Sequence, residues 1–128
     1  MEEKINWLHL CDAVIEDKNN KLSLMGIFEN INAVNFPTVH IRFFLVVNFD
    51  LDPGKGARLL KVEIENTENK NDRFDYQVSF SPKTQKNQYI LELKLIKFDN
   101  PGKRKLTFSI EGLEPYVYFF DVSKRNNG

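Results

Sequence analysis

Apolar and polar residues alternate with a period of two along most of this chain. Between residues 41 and 50 every second position is apolar, while Arg42, Asn48 and Asp50 fall on the opposite side. The apolar members of that run are Ile41, Phe43, Leu45, Val47 and Phe49. Four further runs repeat the pattern, over 60–64, 74–80, 89–95 and 106–110. A period of two is typical of β-strands with one buried face, and a helical period fits these runs less well.

Turn-forming residues separate these runs, among them Pro53-Gly54 and Pro101-Gly102. Proline presets the turn conformation and glycine adopts positive φ without steric cost. The segments between turns predict eight strands, at about 5–16, 21–32, 39–50, 57–66, 74–81, 88–99, 103–112 and 115–123. Short strands with regular turns are typical of all-β sandwiches and barrels. We therefore predict an all-β fold, a single antiparallel β-sandwich of about eight strands, Ig-like or C2-like, with little or no helix.

The length of 128 residues predicts one domain. A chain of this size buries roughly two-thirds of its unfolded surface and needs no disulfide or structural metal to form a core. We assign the sandwich to residues 1–123 and interpret residues 124–128 as a polar C-terminal tail.

Three of the predicted strands are less regular. The segment 21–32 loses its alternation at Gly26, where a bulge would exchange the two faces. The segments 5–16 and 115–123 carry apolar residues on both faces. For 115–123 we favour a strand that is central in its sheet or covered by a loop; the alternative is an apolar face that binds a partner.

The overall charge argues against several classes of partner. The chain has 18 Lys and Arg against 18 Asp and Glu, so it lacks the positive charge of a nucleic-acid-binding protein. It has no apolar run long enough for membrane insertion and no N-terminal pattern of a signal peptide. The single cysteine, Cys11, has no partner for a disulfide within the chain, which predicts a cytoplasmic protein.

A distinctive pattern occupies the first forty residues. It consists of Cys11-Asp12-Ala13-Val14-Ile15-Glu16, a short polar turn, Lys21-Leu22-Ser23-Leu24-Met25-Gly26-Ile27-Phe28 and a later Phe36-Pro37. This pattern resembles the N-terminal region of an uncharacterised family of small bacterial β-rich proteins. The resemblance implies a β-sandwich, and the family carries no established activity or catalytic residue.

We expect the residues that carry this resemblance to be structural. They are Cys11, Asp12, Lys21, Leu22, Gly26, Phe28 and Pro37. The polar turn would join the first two strands as a hairpin, and Gly26 would allow the second strand to bulge. Asp12 would lie near the strand pairing and accept backbone hydrogen bonds.

Residues with catalytic or metal-binding potential are few. The chain lacks a phosphate-binding loop and the GxSxG, HExxH, CxxC and EF-hand patterns. His9 and Cys11 share one strand face, and with His40 and Asp12 they are the residues that a metal site or an enzyme would have to use. Because cysteine is among the most often buried residues, we predict a core cysteine, no metal, no cofactor and no enzymatic activity.

Charged residues at the turns raise two further hypotheses. Acidic residues gather near predicted turns, at Asp50, Asp52, Asp72, Asp75 and Asp99, and a sandwich with acidic loops is similar to calcium-dependent C2 domains. Aspartate in turns usually bonds the local backbone, so we consider calcium unlikely. The run Lys103-Arg104-Lys105 is best explained as an edge strand that lysine protects from aggregation.

These observations favour a non-enzymatic protein-binding or assembly module of a bacterial cytoplasm. Its partner would be another protein or a further copy of the chain. Four aromatic residues are the candidate interface, because aromatic side chains are enriched in binding hot spots: Phe44, Tyr116, Tyr118 and Phe119. The alternative is a sandwich that binds a small ligand, a sugar or, with calcium, a lipid, through loops at one end.

Overall fold

The computed structural model describes residues 2–19, 21–82 and 87–125, and these residues form nine β-strands. The strands are β1 (Lys4–Glu16), β2 (Leu22–Ile27), β3 (Asn30–Ala33), β4 (Thr38–Asp50), β5 (Arg58–Asn66), β6 (Arg73–Phe80), β7 (Gln88–Phe98), β8 (Gly102–Ile110) and β9 (Tyr116–Lys124). One turn of 3-10 helix, Pro53–Lys55, lies between β4 and β5. Within the described ranges no helix is long and apolar enough to cross a membrane.

The strands form two sheets that pack face to face as a sandwich. The four-stranded sheet has the order β2-β1-β4-β7, and the five-stranded sheet has the order β3-β9-β8-β5-β6. Every neighbouring pair is antiparallel except β3 and β9, which run parallel. The predicted β-sandwich is thus confirmed, with nine strands rather than eight and one parallel pair.

The core lies between the two sheets and is rich in phenylalanine. Five Phe side chains are almost fully buried in it: Phe43, Phe49, Phe98, Phe108 and Phe120. Phe28 packs edge-on against Phe43, with ring centroids 5.5 Å apart, and against Phe120, at 6.5 Å. Edge-to-face geometry is the arrangement that aromatic rings prefer.

The ninth strand arises because the predicted strand 21–32 divides between the two sheets. β2 pairs with β1 as far as Ile27, and the Phe28 amide donates to the Leu10 carbonyl. The chain then crosses the sandwich, and β3 pairs with β9. This crossover makes the β3–β9 pair parallel. Alternation identified both halves as strand, but it does not reveal a change of sheet.

A local irregularity that β4 and β7 share, with no shift of register, corrects the predicted faces of two residues. His40 and Phe43 both face the core, although they are three positions apart along β4. Their partners on β7, Ile96 and Leu93, are also three positions apart and also face the core. An extra residue on each strand therefore interrupts the alternation. Ile41 and Leu95, which alternation assigned to the buried face, are 75% and 70% exposed.

The basic run lies in a central strand, which makes the prediction of an edge strand wrong. β8 lies between β9 and β5. Lys103 and Lys105 face outward, as expected, while Arg104 is buried and its Nη2 lies 2.8 Å from an oxygen of Asp72. The predicted central position of 115–123 is confirmed, because β9 lies between β3 and β8.

The C-terminal strand extends into the predicted tail. Lys124 is the last residue of β9 and pairs with Ala33, and the Arg125 amide donates to the Ala33 carbonyl. Residues 126–128 of the predicted tail lie outside the described residues.

Candidate protein-binding surface

The outer face of the four-stranded sheet is built largely of apolar side chains. Directly paired residues on neighbouring strands point to the same side of a sheet. Cys11 of β1 lies between Ile27 of β2 and Phe44 of β4, and Val46 pairs with Ile90 of β7. We call this surface the outer apolar face and define it by Trp7, Cys11, Ala13, Ile15, Met25, Ile27, Val39, Ile41, Phe44, Val46, Ile90 and Leu95.

Exposed apolar side chains are concentrated on this face. Six of the nine large apolar side chains that are exposed in the described residues belong to it, namely Ile15, Met25, Ile27, Val39, Ile41 and Leu95. The other three, Tyr76, Val117 and Phe119, belong to the five-stranded sheet. Isolated apolar residues on a surface are ordinary, whereas a contiguous group indicates an interaction site.

Two residues at the centre of the face are completely covered. Cys11 and Val46 have no exposed surface, yet neither belongs to the core cluster between the sheets. Their neighbours in the sheet, including Ile27 and Phe44, must therefore cover them from the outside. The outer apolar face is consequently closely packed around Cys11 and Val46.

The face has a recess where strand β1 changes its pairing partner. β1 pairs with β4 from Lys4 to Cys11 and with β2 from Cys11 to Glu16. In the part of the chain that the structure describes, the segment 38–42 of β4 pairs only with β7. An open cavity of about 490 Å³ lies at this point, and its lining consists of Asp12, Ile41, Arg42, Lys94 and Leu95.

Charges of both signs lie within the face near this recess, because Glu92 pairs with Phe44 and Lys94 pairs with Arg42. Glu92 lies 3.0 Å from the Lys94 ammonium and 3.6 Å from the Arg42 guanidinium. The Arg42 guanidinium also lies over the Phe44 ring, 5.6 Å from its centroid. Ion pairs that are this exposed contribute little to folding stability. The charged groups of Arg42, Glu92 and Lys94 therefore remain available to a partner.

The outer face of the five-stranded sheet has a different chemistry. The Arg73 guanidinium lies 2.7 Å from Asp75 and 3.5 Å from both Glu63 and Glu65. Its hydrogen bonds to Asp75 lower the pKa of that carboxyl group. Both outer faces thus carry ion pairs, but the outer apolar face has six exposed large apolar side chains and the other face has three.

Comparison with known proteins identifies the family of this chain. A family model described as a family of unknown function, DUF6941, matches residues 6–123. The chain belongs to the DUF6941 family. The match confirms that the chain belongs to an uncharacterised family. That the N-terminal residue pattern is a signature of this family stays a prediction.

Two further comparisons concern individual proteins. The DUF6941 chain is similar in structure to the PmoD soluble domain from Methylocystis sp. ATCC 49242 (Rockwell), with a TM-score of 0.42 and 13% sequence identity. That likeness covers 94% of this chain and 97% of the other. A comparison with curated proteins found no match.

The four aromatic residues predicted as an interface do not form one surface of the DUF6941 protein. Phe44 belongs to the outer apolar face, whereas the other three belong to β9. Tyr116 and Tyr118 pack against the core, and the Tyr118 hydroxyl donates to the Phe28 carbonyl at 2.8 Å. Phe119 is exposed on the five-stranded sheet, where the Lys103 ammonium lies 5.0 Å from its ring centroid.

The residues of the N-terminal pattern occupy structural positions in this DUF6941 chain. Gly26 has a φ of 68°, and a Cβ there would lie 2.5 Å from an Asp12 carboxylate oxygen. The Lys21 amide donates to Asp17 within the β1–β2 turn. Leu22 begins β2, and Pro37 follows a cis peptide bond just before β4.

The residues considered for catalysis are divided between the two sides of the four-stranded sheet. His9 and Cys11 face outward, whereas the His40 ring contacts the core rings of Phe28 and Phe43 at 6.4 and 5.5 Å. Burial, followed by the nearby Asp12 charge, raises the pKa of the Cys11 thiol. A raised pKa disfavours the thiolate, which is the nucleophilic form.

The acidic turns lie at opposite ends of the sandwich. Asp52 lies beside Arg58, where β5 begins, and the Asp72 carboxylate accepts from the backbone amides of Asp99 and Asn100, near the end of β5. Arg104 also donates to Asp72. No group of three or more His, Cys, Asp or Glu residues in the described ranges has an arrangement that would hold a metal ion.

One feature of the outer apolar face was absent from the sequence prediction. The exposure of Ile41 and Leu95 depends on the irregularity that β4 and β7 share, and the sequence contains no glycine or proline at those positions to indicate it. The apolar residues on both sides of 5–16 were a usable signal, because they include Trp7, Cys11 and Ile15 of this face.

Proposed function

We propose that this DUF6941 protein is a non-enzymatic protein-binding module and that the outer apolar face is its binding surface. The observation that carries the proposal is the concentration of six exposed large apolar side chains on one face of the sandwich, against three on the opposite face. Burying such side chains contributes about 25 cal/mol per Å² of apolar surface removed from water.

The occupant that fits this surface is the apolar face of a second folded protein. A four-stranded sheet is broad, and stacked sheets pack face to face at a separation of ~10 Å. A partner of this kind covers all four strands at once. Polar groups of the partner would meet Glu92, Arg42 and Lys94, which supply both signs of charge.

The test is capture of an identified partner by three forms of the tagged protein. The forms are the wild type, Ile27→Lys on the outer apolar face and Val117→Lys on the other sheet, whose native side chains are 53% and 42% exposed. We expect mass spectrometry of lysate from the source organism to identify one stoichiometric protein with the wild type and Val117→Lys. Ile27→Lys should bind that protein at least about tenfold more weakly, which corresponds to ~1.4 kcal/mol of binding free energy.

Circular dichroism and thermal melts of all three forms establish that each variant is folded. Lysine on an edge strand such as β2 is well tolerated in natural sheets. Equal retention of the partner by both variants would exclude the outer apolar face as the binding surface. Retention of no stoichiometric protein by a wild type that is also monomeric in solution would contradict the proposed function itself.

A further inference from the structure

We propose that the partner of the outer apolar face is a second copy of the same chain, related by a two-fold axis, so that two four-stranded sheets pack against each other. This inference rests on the proposed function, since it uses the same surface and names the occupant. The dimer would have four layers, with the ion-paired five-stranded sheets on the outside.

The size of the face matches what a stable dimer needs. Four strands at ~4.8 Å spacing, with a mean length of roughly 11 residues at ~3.3 Å each, cover about 700 Å². Standard protein interfaces bury ~800 Å² on each partner. A face-to-face dimer would thus use the entire sheet, which an extended peptide or a small ligand would leave mostly uncovered.

The pattern of side chains on the face suits packing against itself. Cys11 and Val46 are fully covered, and exposed aliphatic side chains such as Ile27, Ile41 and Leu95 lie from the level of Cys11 toward the end of the sheet where β4 begins. In a two-fold interface the same patch occurs on both partners, so the patch must be complementary to itself. Flexible aliphatic side chains on both copies meet this requirement by interdigitating, as they do between stacked sheets.

The charges also permit self-association. The chain has a formal net charge of zero, so two copies do not repel each other at long range. Arg42 and Lys94 lie beside Glu92 within the face. Because a two-fold axis brings each residue of the patch against the other copy, a patch with both signs of charge offers opposite charges to itself. A patch with charges of one sign would be repulsive.

Sedimentation of the purified full chain tests the inference directly. We expect the wild type to sediment with twice its chain mass of 15.0 kDa at loading concentrations of about 10 µM and above. Val117→Lys should behave as the wild type. Ile27→Lys should sediment as a folded monomer, with a dissociation constant increased at least about tenfold.

Hydrogen–deuterium exchange on the unmodified protein provides a test without any variant. Amides of the residues that line the recess and of β2 should become more protected as concentration rises, while those of β6 stay unchanged. Protection confined to β6, or a dimer that Ile27→Lys leaves intact, would overturn the face-to-face arrangement.

The two proposals fail in different ways. A wild-type chain that remains monomeric up to ~1 mM excludes the second copy as partner. If capture then identifies a different protein that Ile27→Lys loses, the protein-binding function stands and only the identity of the occupant is wrong. If capture identifies no stoichiometric protein, both proposals fail together.

Discussion

Single residues determine where this sandwich departs from regular alternation. Leu95 has a φ of 53°, in the left-handed region that a leucine rarely adopts. Such a conformation costs on the order of 1–3 kcal/mol and persists only where the surrounding structure imposes it. Core packing on either side, at Leu93 and Ile96, offsets this cost. The left-handed conformation leaves the Leu95 side chain exposed, opposite Ile41.

Gly26 provides a test of the packing at the β1–β2 hairpin. Gly26→Ala should lower the free energy of unfolding for two reasons, the positive φ of 68° and the contact of the new Cβ with Asp12. Positive φ alone costs about 1–2 kcal/mol for alanine. In an Asp12→Ala background the contact is relieved, so the same substitution should cost less. Urea denaturation of the four proteins measures both steps, and an equal cost in the two backgrounds would contradict the proposed contact.

At the scale of elements, a buried ion pair and its hydrogen bonds join the ends of four strands. Asp72 precedes β6, and it accepts hydrogen bonds from Arg104 of β8 and from the backbone after β7. Asn66 at the end of β5 adds a hydrogen bond at 3.2 Å. These bonds attach the β5–β6 and β7–β8 turns to each other at one end of the sandwich.

Removal of one member of this pair should be far more costly than removal of an exposed ion pair. Asp72→Ala leaves Arg104 buried without its carboxylate, so we expect a loss of about 3–5 kcal/mol in the free energy of unfolding. Arg73→Ala, one residue away, breaks only exposed pairs and should cost less than about 1 kcal/mol. Guanidinium denaturation distinguishes them, and similar losses would show that the buried pair contributes no more than a surface one.

At the scale of the whole molecule, the segment before β1 is joined to the opposite sheet by an ion cluster. The Glu3 carboxylate accepts hydrogen bonds from the Arg58 guanidinium, the Asp52 amide at 2.8 Å and the Lys55 ammonium at 3.0 Å. These bonds, with that of Arg58 the most important, lower the pKa of Glu3 from 4.5 to about 2.

This lowered pKa makes stability depend on pH in a defined range. A carboxylate with a lower pKa in the folded state stabilises the fold above its unfolded pKa, and that contribution disappears as pH falls through the folded value. The contribution of Glu3 should therefore be complete above pH 4.5 and lost toward about pH 2. Denaturation across this range should show a steeper acid loss for the wild type than for Glu3→Gln. If the free energies of unfolding of the two proteins fall in parallel as the pH is lowered, the pH dependence does not come from Glu3.

The sequence by itself determined the class of fold and nearly all strand positions. Apolar residues at every second position require one buried face, and turn residues delimit each run, so both signals are local. The segment 58–66 illustrates this, because β5 differs from the predicted strand 57–66 by a single residue. The fully apolar run of β9 likewise indicated a central strand.

Only the tertiary structure decided how these strands are arranged and which residues form the outer apolar face. The crossover after Ile27, the central position of β8 and the burial of Arg104 against Asp72 depend on strand order, which links residues distant in sequence. The exposure of Ile41 and Leu95 depends on an irregularity that the paired strands β4 and β7 share, where Leu95 has a positive φ. Alternation specifies that a strand has two faces, but the neighbouring strands determine which face is covered.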